Sequence, residues 1–235
     1  MPAACRAWNR RDLHPFRPWP MNRGRMPWPS TRHQFALVQE STATKWKKTH
    51  RERNSKLRHC ANTGATTLFP DTYLDMVRPG LLLYGYGEHA RMLGLKPVMT
   101  VKTTISTIKI YPKGTKISYG GIYTCPDTTR MGVAPIGYAD GFMRCLSNRC
   151  SFVTEEGPAP QRGRICMDMC MVDLTGKPKV DVGSELELFG THQSLDDLAQ
   201  LAGTIPYEIT CNISKRVPRV YLEKGSGRKE LLLRM

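Results

Sequence analysis

The chain has 235 residues, 40% of them hydrophobic and 23% charged, which is the composition of an ordinary soluble protein with one large or two small domains. No apolar run is long enough to cross a bilayer, so we expect no membrane partner. The formal net charge of +15 suggests nucleic-acid binding, but residues 1–58 hold 14 Lys and Arg against 3 Asp and Glu, which leaves a net charge of only +4 for the rest.

Residues 1–58 are predicted to be a disordered basic head. The first 45 residues contain three of the four tryptophans and six prolines, and proline at this density opposes both helices and central strands. A head of this composition could bind RNA or an acidic surface through charge and stacking. No RNA-binding motif accompanies the charge, so a nucleic-acid partner is not expected.

Eight cysteines raise the alternatives of a disulfide framework and a zinc site. The sequence has no signal peptide and no CxxC pair, and Cys166 and Cys170 lack a second pair of Cys or His at a matching spacing. We therefore expect reduced thiols, no metal and a cytoplasmic protein.

From residue 59 the character of the sequence changes. The apolar run Leu81–Tyr84 is bounded by Pro79-Gly80 and Gly85, which predicts a short strand buried on both faces, as in a parallel sheet. Residues 59–95 therefore indicate an α/β fold from which most of the sheet is missing.

The segment that starts at residue 96 is predicted to be mainly β. Short stretches rich in Val, Ile and Thr are separated by Gly, Pro, Asp or Asn. The predicted strands lie in PVMTVKTTISTIKIY, MGVAPI, SFVT, CMVDL, SELELF and RVYLEK. Several short strands at this spacing are typical of an antiparallel barrel or sandwich.

Two helices are predicted near the end of this segment. The first covers LDDLAQLA, with Ser194 as its N-cap and Gly203 just beyond its last residue. Its leucines are expected to share one face: Leu195, Leu198 and Leu201. The second is predicted to start near Pro206, with Thr204 as its cap.

Two tyrosines stand next to glycines at the ends of apolar runs. Tyr119 precedes a Gly pair in ISYGGIY, and Tyr138 lies in PIGYADG. Glycine tolerates unusual backbone angles, so such a segment can present a phenol at the edge of a sheet. On spacing alone the alternative, that both rings fill a core, is the better one.

Together the motifs resemble the bacterial alanine racemases, which are fold-type III pyridoxal-phosphate enzymes. The matching runs, from about residue 59 to residue 222, are HCANTGAT, MVRPGLLLYG, ISYGGIY, PIGYADG, GRICMDMCMVDL, SLDDLAQLAG and PYEITCNISKRVPRVY. The family combines an N-terminal α/β (TIM) barrel with a C-terminal β-domain and works as a head-to-tail homodimer.

The resemblance implies three parts for this chain. They are the basic head at 1–58, a remnant of the last strands of the pyridoxal-phosphate-binding barrel at 59–95, and the C-terminal β-barrel domain with one or two helices at 96–235. The family's cofactor-binding lysine lies in a motif like VKANAYGHG, which no run of this sequence matches. We therefore expect a truncated form that shows no racemisation on its own.

The resemblance also implies roles for individual residues. Tyr119 matches the catalytic tyrosine that takes the α-proton of the L-enantiomer, while the lysine serves the D face. Two groups are needed because the proton must leave one face and return to the other. A phenol is a weak base at neutral pH, so this role requires neighbours that stabilise the phenolate.

The remaining matches concern cofactor and substrate binding. Arg78 matches the arginine that faces the pyridine nitrogen, although a plain ion pair is the alternative. The phosphate-binding matches are Thr63, Gly80, Leu81 and Tyr207, which would use a hydroxyl, the backbone N–H groups of Gly80 and Leu81, and a phenol. Met167 matches the residue whose backbone N–H meets the substrate carboxylate, with core packing as its alternative, and Tyr138 matches a tyrosine at the entrance. In the family Tyr119, Tyr138 and Met167 serve the partner's active site.

The sequence thus favours racemisation of L- and D-alanine with pyridoxal 5'-phosphate, which supplies D-alanine for cell-wall peptidoglycan. Two alternatives stay open. One is a non-catalytic β-domain for binding or dimerisation, with the basic head as a tether to nucleic acid or an anionic surface. The other is a relative that racemises serine.

Overall fold

The computed structural model describes residues 57, 59–223 and 227–231. The prediction of a disordered head therefore lies outside the described residues, apart from Leu57. The four α-helices of the described part are α1 (Thr63–Leu68), α2 (Glu88–Met92), α3 (Leu195–Ala202) and α4 (Pro206–Asn212). None of the described helices has the length and apolar character needed to cross a membrane.

Strands are the commonest regular structure of the described chain, as predicted. The eleven described strands are β1 (Val101–Thr104), β2 (Thr107–Tyr111), β3 (Lys116–Ile117), β4 (Tyr123–Thr124), β5 (Thr129–Ala134), β6 (Ser151–Thr154), β7 (Gly157–Arg162), β8 (Cys170–Asp173), β9 (Glu185–Phe189), β10 (Arg219–Glu223) and β11 (Gly227–Leu231). Every segment predicted as β after residue 96 overlaps at least one of them. The short strands β3 and β4, and β10 with β11, form two separate antiparallel pairs.

Seven strands form one antiparallel sheet in the order β1-β9-β6-β7-β8-β5-β2. β1 and β2 lie at opposite edges of this sheet, although only Ile105 and Ser106 separate them in sequence. The three Cα–Cα steps from Thr104 to Thr107 span at most about 11 Å, so the two edges must lie close together. The sheet is therefore curled into a barrel-like shape around one core, in agreement with the predicted antiparallel barrel.

Aromatic and branched side chains fill the interior of the barrel. Phe142 and Phe152 are almost fully buried and meet edge to face, with their ring centres 5.5 Å apart. The core also includes Leu195 and Leu198 of α3, so this helix packs on the barrel.

The strand β7 (GPAPQR) was not predicted, because proline normally interrupts a sheet. The structure accommodates both prolines at positions that need no donor. Gln161 donates its backbone N–H to Cys150 O at 2.9 Å, so the N–H groups of alternate residues of β7 point toward β6. The backbone nitrogens of Pro158 and Pro160 point to the other side, where β7 pairs with β8 only from Gln161 onward.

The predicted helix α3 is confirmed, including both ends. The Ser194 side chain accepts a hydrogen bond from the backbone N–H of Asp197, and Gly203 ends the helix in the left-handed conformation with φ 74°. Leu201 is the exception to the predicted apolar face, because it is 37% exposed. In α4, Pro206 does stand in the first turn, but the predicted cap is wrong: Ile205 occupies the N-cap position, and the Thr204 hydroxyl donates to the Glu208 carboxylate.

The predicted strand at Leu81–Tyr84 is wrong, because these residues form a 3-10 helix. No described strand lies beside them to supply ladder hydrogen bonds, so the chain satisfies its amides locally: Leu83 N–H bonds to Gly80 O, and Gly85 N–H bonds to Leu82 O. Leu81 and Leu82 are buried, whereas Leu83 is 68% exposed. Residues 59–95 still pack on the β-domain, since the buried Tyr86 ring meets Phe189 edge to face.

Glu187 of β9 is a buried acid with a full set of donors. Its carboxylate accepts the backbone N–H groups of His192 and Gln193 and lies 2.9 Å from the His192 ring nitrogen Nδ1. Burial alone would raise its pKa, but the hydrogen bonds from His192 and Gln193 together outweigh burial and lower the pKa of Glu187 below its usual 4.5.

We expect Glu187→Gln to reduce the free energy of unfolding at pH 7 by about 1–3 kcal/mol, because hydrogen bonds to a charged acceptor are the stronger ones. Because the pKa of Glu187 is lower in the folded than in the unfolded state, the charged carboxylate stabilises the fold at pH values above the unfolded pKa. This contribution is lost as the pH falls through the folded pKa. The difference in the free energy of unfolding between the wild-type chain and Glu187→Gln should therefore be constant above about pH 5.5 and shrink below pH 4.5. Urea unfolding between pH 3.5 and pH 7.5 measures it.

The matched control is Glu185→Gln on the same strand. The Glu185 side chain is 68% exposed and pairs with Lys102 at the surface, where an ion pair contributes little. A gap for Glu187→Gln that does not change with pH would contradict the expectation.

Candidate active site

Three segments converge at Gly80. The backbone N–H of Gly80 donates to Thr63 Oγ1 at 3.0 Å, which links the start of α1 to the loop before the 3-10 helix. A Cβ added at Gly80 would lie 3.3 Å from Cε1 of Tyr207 and 3.9 Å from both its phenol oxygen and Thr63 Oγ1. Only glycine leaves this space open, and we refer to Thr63, Gly80 and Tyr207 as the cradle.

The cradle presents unused hydrogen-bond donors. Thr63 Oγ1 accepts from Gly80, so its own proton remains available to a third group. In the described part of the chain, neither the Leu81 N–H nor the Tyr207 hydroxyl forms a hydrogen bond. Three donors around a space next to a glycine are suited to bind an anion.

Arg78 stands two residues before the cradle glycine. Its backbone N–H bonds to Ala61 O at 2.8 Å, which fixes the chain, while its side chain is exposed. Among the described residues no carboxylate pairs with this guanidinium, so the alternative of a plain ion pair finds no support.

Tyr119 lies in a tight turn between β3 and β4 and is 75% exposed. The alternative that this ring fills a core is therefore wrong. Ser118 just before it has φ 62° and ψ −177°, a combination that costs a residue with a side chain about 1–3 kcal/mol. Such strain persists only where neighbouring contacts hold the backbone.

The contacts that hold this turn come from residues 163–168, which we refer to as the strap. Ser118 Oγ donates to Arg164 O at 2.8 Å and lies 3.4 Å from Cys166 Sγ. A Cβ added at Gly120 would lie 3.4 Å from Arg164 Nε, so a positive charge stands beside the turn.

The turn that carries Tyr138 is held by the same strap. The backbone N–H of Tyr138 donates to Cys166 O, and that of Ala139 donates to Met167 O, both at 3.0 Å. The approach is so close that a Cβ on Gly137 would overlap with both of these carbonyl oxygens. Tyr138 itself is 45% exposed, which excludes core packing for this ring too.

Met167 is exposed on the strap, so its core-packing alternative is wrong. Its carbonyl accepts the bond from Ala139, but in the described part of the chain its backbone N–H has no acceptor. The structure thus gathers Tyr119, Tyr138 and an unpaired Met167 amide along the strap. No described hydrogen bond joins them directly to the cradle.

Sequence reasoning missed the residue that links these turns to a third segment. Arg216 donates to Asp140 Oδ1 through Nε and to Asp168 Oδ1 through its terminal nitrogen, both at 2.7 Å. Arg216 lies in the run KRVPRVY, and the two acids directly follow the YA and M of the Tyr138 and Met167 motifs. The signal available in the sequence was an aspartate one or two residues after each of the two candidate site residues, Met167 and Tyr138.

The thiols take no part in a metal site in the described chain. All seven described cysteines are free, and no three His, Cys, Asp or Glu side chains of the described residues are arranged to hold a metal ion. Burial raises the pKa of the Cys150 thiol to about 12, so this thiol is unreactive at neutral pH.

The sequence matches two protein-family models. Residues 98–221 match the model described as "Alanine racemase, C-terminal domain", and residues 25–88 match "Alanine racemase, N-terminal domain". The first match covers more than half of the chain and contains the whole seven-stranded sheet.

Individual relatives agree with the family models. The chain is 42% identical to alanine racemase 1 of Clostridium acetobutylicum over 74% of this chain and 48% of that one, and 44% identical to alanine racemase of Desulfovibrio desulfuricans over 71% and 46%. Alanine racemase from Streptomyces coelicolor A3(2) has a similar structure, with a TM-score of 0.75 and 38% identity over 83% of this chain and 52% of that one. The chain spans about half the length of these relatives, and it belongs to the alanine racemase family.

Proposed function

We propose that this chain carries one part of a pyridoxal-phosphate-dependent alanine racemase site, namely the phosphate cradle and the tyrosine that acts on L-alanine. The observation that carries the proposal is the space at Gly80, which a single Cβ would fill and which Thr63 and Tyr207 border with hydroxyl groups. The family's substrate and cofactor match this chemistry, since the site would bind a phosphate and act on a small amino acid.

Pyridoxal 5'-phosphate fits the residues that are present. Its phosphate would take the donors of the cradle: the Thr63 hydroxyl, the Leu81 N–H and the Tyr207 phenol. Arg78, with no described ion pair, would face the pyridine nitrogen and oppose its protonation. When bound, the cofactor supplies the electron sink that makes the α-proton of an amino acid acidic.

Tyr119 would move the proton at the α-carbon of alanine. Its phenol oxygen takes the proton of the L-enantiomer or returns one to that face. Arg164 lies beside the turn that carries the ring, and the strained Ser118 directly precedes Tyr119 in that turn. The opposite face needs a second acid/base group, which in this family is a lysine.

Met167 and Tyr138 would select the substrate. The unpaired Met167 N–H is available to bind the α-carboxylate, and the Tyr138 ring would narrow the entrance so that only a small side chain is admitted. Because the strap holds both turns, the substrate carboxylate and the phenol of Tyr119 would be positioned together.

We further propose how this site is assembled from two chains and where in the cell the protein works. The exposed Tyr119, Tyr138 and Met167 would serve a partner chain in a head-to-tail dimer, while the cradle serves its own cofactor. Residues 59–95 act as the barrel remnant and residues 96–235 as the β-domain. The product, D-alanine, would enter cell-wall peptidoglycan, and the protein would work in the cytoplasm.

The proposal predicts complementation between chains. We would mix the full 235-residue chain with a full-length alanine racemase, such as that of Clostridium acetobutylicum, in which the residue equivalent to Tyr119 is phenylalanine. This racemase retains its own lysine, so a mixed dimer would hold both acid/base groups. The rate of L-alanine conversion should be at least tenfold higher in the mixture than with either protein alone. The loss of the circular dichroism signal of L-alanine measures this rate.

Two results would tell against the proposal. No gain in the mixture, despite formation of the mixed dimer in size-exclusion chromatography, would favour a non-catalytic β-domain. Equal conversion of L-serine would favour the serine racemase alternative.

A further inference from the structure

Arg216 connects the two segments that carry candidate substrate-binding groups. Its Nε bonds to Asp140, two residues after Tyr138, and its terminal nitrogen bonds to Asp168, directly after Met167. A single planar guanidinium therefore fixes the distance between two carboxylates that belong to different loops. Lysine has no such fork of donors.

Asp140 extends this connection to the close approach at Gly137. Its second carboxylate oxygen accepts the Gly137 N–H at 2.8 Å, and its backbone carbonyl accepts the Ser214 N–H at 3.0 Å. The residues before and after the Tyr138 ring are thus tied to the segment that holds Arg216.

Global stability is a poor explanation for this arrangement. The Arg216 and Asp168 side chains are 44% and 54% exposed, so the ion pair between them contributes little to folding. The Asp140 side chain is 15% exposed, but it also accepts the Gly137 N–H within its own loop and so keeps a partner without Arg216. Geometry is the better explanation, because both carboxylates lie within two residues of a group with an unused donor or an exposed ring.

We propose that Arg216 is a positioning residue, which holds the Met167 amide and the Tyr138 turn in the arrangement that binds the substrate carboxylate. This inference rests on the proposed function for the identity of the substrate. Arg216 touches neither substrate nor cofactor and acts only through Asp140 and Asp168.

The direct test is hydrogen–deuterium exchange of the full chain. In Arg216→Ala we expect backbone amides in residues 137–141 and 166–169 to exchange about tenfold faster, because local opening is no longer opposed. Peptides from β6 and β9 should be unchanged, and the melting temperature should shift by no more than about 2 °C. Arg216→Lys should show the same increase in exchange, since one ammonium cannot bond to both acids in this geometry.

Arg149→Ala is the matched control. Arg149 is an exposed arginine that forms no ion pair with any described residue, and its replacement should leave exchange in both segments unchanged. Unchanged exchange in Arg216→Ala, or an equal increase across the whole domain, would overturn the inference.

A second measurement separates this inference from the proposed function. In the mixed dimer, Arg216→Lys should raise KM for L-alanine about tenfold and change kcat less than about threefold, since carboxylate binding is affected and proton transfer is not. An equal fall in kcat with no change in KM would overturn it. If the wild-type mixture shows no racemisation, the proposed function fails, and the exchange experiment still decides whether Arg216 holds the two segments.

Discussion

Tyr119→Phe should remove the racemase activity that the chain contributes to a mixed dimer. Loss of a positioned acid/base group costs about 10²–10⁴-fold in rate, and phenylalanine keeps the size of the ring while it removes the only oxygen that can carry the proton. Tyr119 is 75% exposed, and its hydroxyl forms no hydrogen bond with any described residue that the substitution could disturb. The stability of the chain should therefore be unchanged.

Proton exchange distinguishes this loss from a general defect. In heavy water, the mixed dimer with Tyr119→Phe should still exchange the α-proton of D-alanine, because the lysine of the full-length racemase acts on that face. Exchange at L-alanine should stop. Proton NMR of the α-position, recorded for each enantiomer, measures both rates.

Tyr221→Phe is the control for this experiment. Tyr221 is also an exposed phenol, at 56%, and it lies in β10, which pairs with β11 and not with the seven-stranded sheet. Its replacement should preserve activity. Full activity in the Tyr119→Phe mixture would show that another group acts on L-alanine.

The parts of the fold that could be predicted are those that local sequence determines. Helix α3 carries its own start signal at Ser194 and its own stop signal at Gly203, so its bounds follow from chemistry within ten residues. Strand β7 could not be predicted, because what permits Pro158 and Pro160 is that the antiparallel β8 ends at Asp173 and pairs with β7 only from Gln161 onward. That is a property of the sheet and not of the segment.

At Leu81–Tyr84 the sequence predicted a strand that the structure does not form. The sequence is that of a buried parallel strand, but a strand requires neighbours to accept its amides, and the described chain offers none there. The N–H groups of Leu83 and Gly85 bond instead within a 3-10 turn.

The candidate site was predictable in its residues but not in its connections. Family motifs named Tyr119, Tyr138 and Met167. Nothing local indicates that the strap, which carries Met167, also holds the other two turns, or that Arg216 joins two of these segments. Gly80 is a further example. Its predicted role was to donate an N–H, yet that group is already bonded to Thr63, and its described contribution is the space left by its missing side chain.

Gly137 is the position where fold and site depend most directly on each other. Its backbone is extended, with φ −145° and ψ −166°, so any residue could adopt the conformation without strain. The requirement for glycine is steric, because a Cβ would overlap with the carbonyl oxygens of Cys166 and Met167. These oxygens belong to the backbone of the strap and cannot rotate away.

We therefore expect Gly137→Ala to reduce the free energy of unfolding by about 3 kcal/mol, near the upper end for an overpacked site. The strap must move from the Tyr138 turn, so the bonds from Tyr138 and Ala139 to the strap should break and their amides should lose protection against exchange. Urea unfolding and hydrogen–deuterium exchange measure the two effects.

Gly64→Ala is the control. Gly64 lies in α1, where an added Cβ would have its nearest neighbour at 3.5 Å, and alanine there should be neutral or stabilising by up to about 1 kcal/mol. Equal stability of Gly137→Ala and the wild-type chain would mean that the strap can yield, and that Tyr138 and Met167 are not held together by the close approach at this glycine.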